Sequence, residues 1–446
     1  MTSEVVVMNN LAVALATDSA ATVSDGRDNK VYNSANKLFM LSKCYPVGVM
    51  VYDNSSLLGI PWETILKLFR EQHLKTRSFD HLEDYGDELI HYLDGNLELF
   101  PEKAQRKFFL DMVEHLYGQI LQDYTNETTK RIEEDDEVPR PAEEVKRLVL
   151  EALKQWDQKA DAKCFKTYPH VVEIATQLSG EVHAFIVKYF GQYQIDAEAT
   201  EALRKIAVLA IQKEDIPQPC RSGLVIAGFG EKDYVPTMQV FDLGEVYGNK
   251  LKYRVREVRK IDADNPSIVQ AFAHDEMVNT FLRGISPTFQ LQMLDEIIDL
   301  VVRLPGEVID GISDLSANKK MVWKKKVLPM TAEPIRAFVQ KLESSLVEDH
   351  KQPILKAIIN LPIDELAHVA QSLVNLNSFE KRMSLDTETV GGPVDVAVIS
   401  KGDGFIWIER KHYFRHELNH HFFRNYDRNM KAEEIAVPTR RENAEE

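Results

Sequence analysis

The stretch Thr2-Ser3-Glu4-Val5-Val6-Val7-Met8-Asn9-Asn10-Leu11-Ala12-Val13-Ala14-Leu15-Ala16-Thr17-Asp18 decides the reading of this chain. Residues 5–8 and 11–16 are short, unbroken apolar runs separated by Asn9-Asn10, and an Asn pair between such runs predicts a β-hairpin. Runs without polar alternation predict strands covered on both faces. Thr2 then stands at the head of the first strand and Asp18 at the end of the second.

Working outward, residues 38–41 and 47–52 read as two further strands, with Lys37 opening the first of them. Pro61 opens a helix, where its missing N–H costs nothing, and Trp62, Ile65, Leu66 and Phe69 form one apolar face. From about 85 to 215 the pattern is helical. Its stripes are Phe109-Met112-Val113-Leu116-Ile120, Val145-Leu148-Val149-Ala152-Leu153 and Leu203-Ile206-Ala207-Ala210. The acidic run Glu133-Glu134-Asp135-Asp136-Glu137, followed by Pro139 and Pro141, marks a solvated break. Strand signals return at 223–243, with a turn over 228–233. A second helical block fills about 275–380, its last helix starting at Pro362. Val394, Val396 and Val398 alternate, and Gly402-Asp403-Gly404 turns into Phe405-Ile406-Trp407-Ile408, a final hairpin.

Composition bounds the function. The chain has 446 residues, 44% of them hydrophobic and 28% charged, as in folded globular proteins. Its net charge of −16 argues against a general binder of nucleic acid or anionic membrane. Cys44, Cys164 and Cys220 are odd in number and widely spaced, so neither a disulfide framework nor a Cys-rich zinc site is expected, and a reducing, cytoplasmic setting is. The longest apolar stretch near the start, residues 11–16, is far too short for a membrane span, and the first residues lack the features of a signal peptide.

Thr2 follows Met1, and so small a side chain permits removal of the initiator. A terminal threonine carries both a nucleophile, its Oγ, and a base, its α-amine, whose pKa of roughly 7.7–8.0 leaves it partly neutral at working pH. Such a pair still needs a cation to ease ionisation of the hydroxyl and a carboxylate to hold that cation. Lys37 and Asp18, on adjoining strand ends, are the candidates.

A terminal Thr, a hairpin running into Asp18-Ser19-Ala20-Ala21-Thr22, and a Lys opening the next strand resemble the proteasome β-subunits and their bacterial HslV relatives, of the N-terminal nucleophile (Ntn) hydrolase superfamily. Asp18 falls at the family's spacing from Thr2; Lys37 falls a few residues late, which a longer loop at 24–34 accounts for. Residues 46–54 with the following helix resemble the family's oxyanion strand and first long helix. Residues 223–244 resemble its central hairpin, and Thr389-Val390-Gly391-Gly392-Pro393 with the Gly404 hairpin its final strand pair. The resemblance covers less than half of the chain.

It implies an α+β fold, a four-layer αββα sandwich with two helical insertions. The core segments are 1–84, 216–285 and 361–428, the insertions 85–215 and 286–360, and 429–446 is a polar tail. It implies a threonine-type peptidase or amidohydrolase without a cofactor. Thr2 attacks a peptide or amide carbonyl, Lys37 favours the alkoxide, Asp18 holds Lys37, and backbone N–H groups near Tyr52 and Asp53 receive the oxyanion. Homo-oligomeric rings and a regulatory ATPase partner follow by the same analogy, with the inserted helices acting as a lid or as a new oligomer contact. The sequence departs from the family at several points. Tyr52, Asp53 and Asn54 replace small glycines. Phe272-Ala273-His274-Asp275 replaces Gly-Ser-Gly. Val390 stands where a Ser is expected, and Asp386 and Glu388 only approximate an upstream Asp. These changes keep open a catalytically silent assembly protein on the same fold.

Three further features have two readings each. His416-Glu417-Leu418-Asn419-His420 matches HExxH: on a helix the two His would share a face for zinc with Glu417 as base, and Glu433 or Glu434 as a late ligand. The alternative is a polar helix with solvated His, and the third His of a metzincin is absent, since Phe423 and Tyr426 hold that spacing. The basic run Lys319-Lys320-Met321-Val322-Trp323-Lys324-Lys325-Lys326 fits nucleic acid or an acidic partner, or a solvated helix face. His274-Asp275 is either a coupled pair or a helix cap by Asp275.

Overall fold

In the computed structural model the described residues are 2–24, 29–75, 77–134, 139–384, 390–421 and 424. The strands, in chain order, are β1 (Ser3–Asn9), β2 (Ala12–Thr17), β3 (Ala21–Ser24), β4 (Asn29–Tyr32), β5 (Leu38–Met40), β6 (Val47–Asp53), β7 (Ser56–Leu57), β8 (Ile60–Pro61), β9 (Ser222–Gly228), β10 (Thr237–Tyr247), β11 (Lys250–Lys260), β12 (Ser267–Ala273), β13 (Asp395–Ser400) and β14 (Gly404–Glu409). The helices are α1 (Trp62–His73), α2 (Leu82–Leu93), α3 (Glu102–Glu133), α4 (Pro141–Gln158), α5 (Glu173–Gln177), α6 (Ser179–Phe190), α7 (Ala197–Gln212), α8 (Glu276–Arg283), α9 (Pro287–Gly311), α10 (Ala317–Val327), α11 (Ala332–Ser345), α12 (Gln352–Ile359) and α13 (Ile363–Met383). The class is α+β, with antiparallel pairing of β1 to β12 and β2, along the order β11-β10-β9-β6-β5, and in the β3–β4 and β7–β8 hairpins.

The chain forms two compact bodies. The first comprises the chain up to Ala35, Ile261–Val398 and Trp407–Lys411; the second comprises Asn36–Lys260, Ile399–Ile406 and the described residues from His412 on.

The first body is organised by a five-stranded sheet of order β12-β1-β2-β13-β14. Strand β1 is paired on both edges, Ser3 with Ala273 and Glu4 with Thr17, and every residue in it is buried. The Asn pair sets the β1–β2 turn through one side chain. Asn9 Oδ1 accepts from the Leu11 and Ala12 N–H groups at 2.9 and 3.3 Å, and its Nδ2 donates to the Ile358 and Leu361 carbonyls. Val5, Val7, Ala14 and Ala16 pack with Leu366, Ala370, Leu373 and Val374 of α13, which crosses β1 and β2. Small residues on β2 let this helix lie close.

The second body holds a sheet of order β11-β10-β9-β6-β5. Val47, Val49, Val51, Leu224, Ile226 and Phe241 meet Trp62, Ile65, Phe69 and Leu89 of α1 and α2. Gly86 is required for this approach: a Cβ there would lie 2.1 Å from Gln239 Oε1 and 2.8 Å from the Phe241 ring. Helices α3–α7 build a core of their own, in which Phe109, Met112 and Val113 pack with Val145, Val149, Leu203 and Ile206.

Several local expectations are corrected. Between the second body's central hairpin and α8 lie two additional strands, β11 and β12, and residues 24–34, expected as a loop, contain β4 of a β3–β4 hairpin. Asp275 does occupy the N-cap position of α8, yet its side chain makes no capping bond. No helix among the described residues is long and apolar enough to cross a membrane.

Candidate functional site

Strand β1 begins the site in the first body. Thr2 is 7% exposed, its carbonyl accepts from the His274 N–H at 3.0 Å, and its hydroxyl has no hydrogen-bond partner among the described residues. Asp18, fully buried, immediately follows β2. Its Oδ1 accepts from the Ser3 N–H at 3.0 Å, and its Oδ2 from the Ala20 and Gly391 N–H groups at 3.2 and 3.0 Å. Its own N–H donates to the Ser3 carbonyl at 3.0 Å. One carboxylate thus ties the head of β1, the turn after β2 and the 391 loop together. Charged acceptors of backbone N–H groups make the stronger class of hydrogen bond.

The 391 loop lies against this turn. The Ser19 N–H donates to the Gly391 carbonyl at 3.0 Å, and the Ser19 hydroxyl donates to the Pro393 carbonyl. Gly392, at φ +79°, leaves no room for a side chain: a Cβ would sit 2.9 Å from that of Asn33. Val390 beside it is fully buried. Asp386, Glu388 and Met1 lie outside the described residues.

A polar cluster that the sequence did not reveal backs the same strand end. Asn377 of α13 donates to the Ser3 hydroxyl at 2.6 Å and to the His274 carbonyl at 2.9 Å. The His274 ring meets Glu380 of α13 at 3.2 Å, so its carboxylate partner is Glu380 rather than the neighbouring Asp275. Ala273, the last residue of β12, is held at φ +62°, a conformation that costs a non-glycine residue energy.

Lys37, Tyr52 and Asp53 belong to the second body. Lys37 is 5% exposed, directly precedes β5, and its carbonyl accepts from the Val51 N–H at 2.9 Å. The Tyr52 ring lies over Gly223, where a Cβ would be 1.9 Å from it. Its hydroxyl sits 3.5 Å from Asp242, to which it donates, and accepts from Arg256 at 3.2 Å; Arg254 in turn grips Asp242. Burial, reinforced by Asp242, pushes the Tyr52 phenol far above its usual range, so it stays neutral. Asp53 ends β6 at φ +64° and accepts from Arg221 Nε at 2.8 Å. These side chains form a structural network at the end of β6.

The second body also buries two ionisable groups mid-strand. Glu245 of β10 is 1% exposed and accepts from the Leu58 N–H at 3.1 Å; burial, reinforced by Asp111, raises its pKa to about 8. Lys252 of β11 is equally buried, and burial lowers its pKa to about 7. Its Nζ donates to the Ala210 and Asp215 carbonyls at 2.8 and 2.6 Å, which suits a neutral amine with two N–H bonds. Cys220 nearby is buried and its thiol is pushed up to about 12, while Cys164 is half-buried and also raised. Neither is a poised thiolate.

The HExxH stretch does not form one α-helix. His416–Leu418 is a single 3-10 turn that stops before Asn419, so the continuous α-helix that the zinc reading requires is not formed. Glu417 is exposed, and Phe423, Tyr426, Glu433 and Glu434 lie outside the described residues. Among the described residues, no three His, Cys, Asp or Glu side chains are grouped as a metal centre requires. No protein-family description matches the chain, and no curated protein matches it in sequence.

Proposed function

We propose that the chain is a threonine-type Ntn hydrolase acting on a peptide or amide bond, on the four-layer αββα architecture that its sequence resembles. What supports this most is the Thr2 hydroxyl: buried at the head of β1, without a hydrogen-bond partner among the described residues, and one residue from an N–H held by Asp18. A buried hydroxyl with no structural bond is the group a reaction can use. In the proposed reaction the Thr2 α-amine, freed by removal of Met1, takes the hydroxyl proton while Oγ bonds to the carbonyl carbon. The C–N bond breaks as the proton passes to the leaving amine, and water then hydrolyses the ester, restoring Thr2. Lys37 carries over from the resemblance as the cation favouring the alkoxide. The Tyr52 side chain is occupied in its own network, so any oxyanion contact from residues 52–53 is made by backbone N–H.

Intact-mass measurement, with labelling by a peptide epoxyketone, tests the reading. Wild type is expected to lack Met1 and to form a stable adduct on Thr2; Thr2→Ala and Lys37→Ala are expected to form none while remaining folded. Retained Met1, or equal labelling of Thr2→Ala, would overturn it. The competing reading, a silent scaffold, is favoured by one observation: both Asp18 oxygens hold backbone N–H groups, as a purely structural carboxylate would. It predicts a folded wild type that the epoxyketone does not label.

A further inference from the structure

The helices between residues 287 and 345 have almost no core. Ile309 alone is buried there. Helix α9 carries apolar residues around most of its circumference, from Phe289 and Leu291 to Leu304 and Val308, and a helix apolar all round is normally an interior one. Thirteen large apolar side chains between Phe289 and Phe338 are exposed, among them Leu304 at 49%, Trp323 at 51% and Met330 at 70%. At about half exposure they present on the order of 1,000 Å² of apolar surface, well beyond the largest patch of an ordinary monomer and enough for one side of a stable dimer interface.

Charge points to what covers this face. Residues 287–345 contain eight basic and eight acidic residues and so have no net charge, although the whole chain carries −16. Two copies meeting here avoid the self-repulsion that the rest of the surface would impose. The charges are also segregated: α9 has Asp295, Glu296, Asp299, Glu307 and Asp310 against one Arg303, whereas α10 has five lysines and no acid. Lys324 pairs with Asp310 at 2.5 Å and fixes α10 to the end of α9. Asp295 and Glu296 on one helix, and Lys319 and Lys325 on the other, make no ion pair among the described residues. An acidic helix joined to a basic one is complementary to itself under a two-fold rotation, the condition for an isologous interface.

We propose that the α9–α11 face is a homodimer interface, in which acidic α9 of each copy lies against basic α10 of the other over a shared apolar centre. This surface is independent of the Thr2 chemistry. An anionic membrane or nucleic acid would complement α10 but would be repelled by α9.

Sedimentation velocity of the full chain at micromolar concentration tests the proposal. Wild type is expected as a dimer. Leu304→Glu/Trp323→Glu is expected to be a monomer with unchanged circular dichroism, its dissociation constant weakened roughly a hundredfold. Lys319→Glu/Lys325→Glu and Asp295→Lys/Glu296→Lys are each expected to weaken self-association, and a mixture of the two is expected to form heterodimers. A monomeric wild type would overturn the proposal, as would assembly unaffected by the Leu304/Trp323 variant or no heterodimer on mixing. Binding of a monomeric wild type to phosphatidylserine vesicles or to single-stranded RNA would overturn it in favour of those partners.

Discussion

Replacing Glu245 by Gln should change how stability depends on pH, with a sign and size set by the burial of that one carboxyl. Glu245 is 1% exposed on β10, its nearest donor is the Leu58 N–H, and burial raises its pKa from 4.5 to about 8. Between those values the unfolded chain has released the proton and the folded chain retains it. The folded state therefore binds more protons, and stability falls as pH rises through this window. At about 1.4 kcal/mol per pH unit, the loss amounts to on the order of 5 kcal/mol and is complete above pH 8. Glu245→Gln keeps an oxygen for the Leu58 N–H and cannot ionise. Its stability should match wild type near pH 4.5 and exceed it increasingly up to about pH 8, after which the difference is constant. Urea unfolding followed by tryptophan fluorescence across this range, compared as mutant minus wild type, cancels the other titrating groups. A difference that stays flat with pH, or that shrinks as pH rises, would refute the reasoning.

Asp18→Asn leaves one acceptor oxygen for three backbone N–H groups and turns an amide NH₂ towards at least one of them. About 2–4 kcal/mol of stability should be lost, and an unchanged urea midpoint would count against the clamp. Gly86→Ala sets two effects against each other: alanine gains about 1 kcal/mol in a helix, but its Cβ meets Gln239 and the Phe241 ring, where overpacking costs about 1–3 kcal/mol. A lower thermal midpoint is expected, and a higher one would show that α2 moves away from β10 freely. Thr2→Ala should abolish epoxyketone labelling yet leave the thermal midpoint nearly unchanged, because the Thr2 hydroxyl has no hydrogen-bond partner among the described residues.

The β1–β2 hairpin was readable because two apolar runs and an Asn pair leave few alternatives, and the Pro61 helix start was readable for a similar reason. Strand β11 was not read. Its seven charged residues resemble a solvated linker, although Leu251, Tyr253 and Val255 alternate with period two and Gly248-Asn249 supplies a turn. It is an edge strand buried only near its start, at Leu251 and Lys252, while Val255 and Val258 further along are exposed, so it carries little of the buried pattern that marks a strand in sequence. The burial of Lys252 had no sequence signal: its position on the polar face of β11 is ordinary, and only the approach of the α7 end, with the Ala210 and Asp215 carbonyls, encloses it. Asp275 shows the converse. Its position before α8 was legible, while the choice of Glu380 as partner for His274 depends on α13, a hundred residues later.

The order of strands in the two sheets has a consequence for biosynthesis. The sheet of the second body draws all five strands from residues 38–260 and is complete once β11 has left the ribosome. Strand β1 is made long before, yet its second edge waits for β12, and its apolar face for α13. Through that interval a valine-rich strand must stay unpaired on one side, and such edges recruit other chains. Nascent chains stalled with β11 outside the ribosome and β12 still inside it should therefore contain a folded second-body sheet and an N-terminal hairpin that binds a holdase chaperone. Release should come only after the last helix of the first body has emerged.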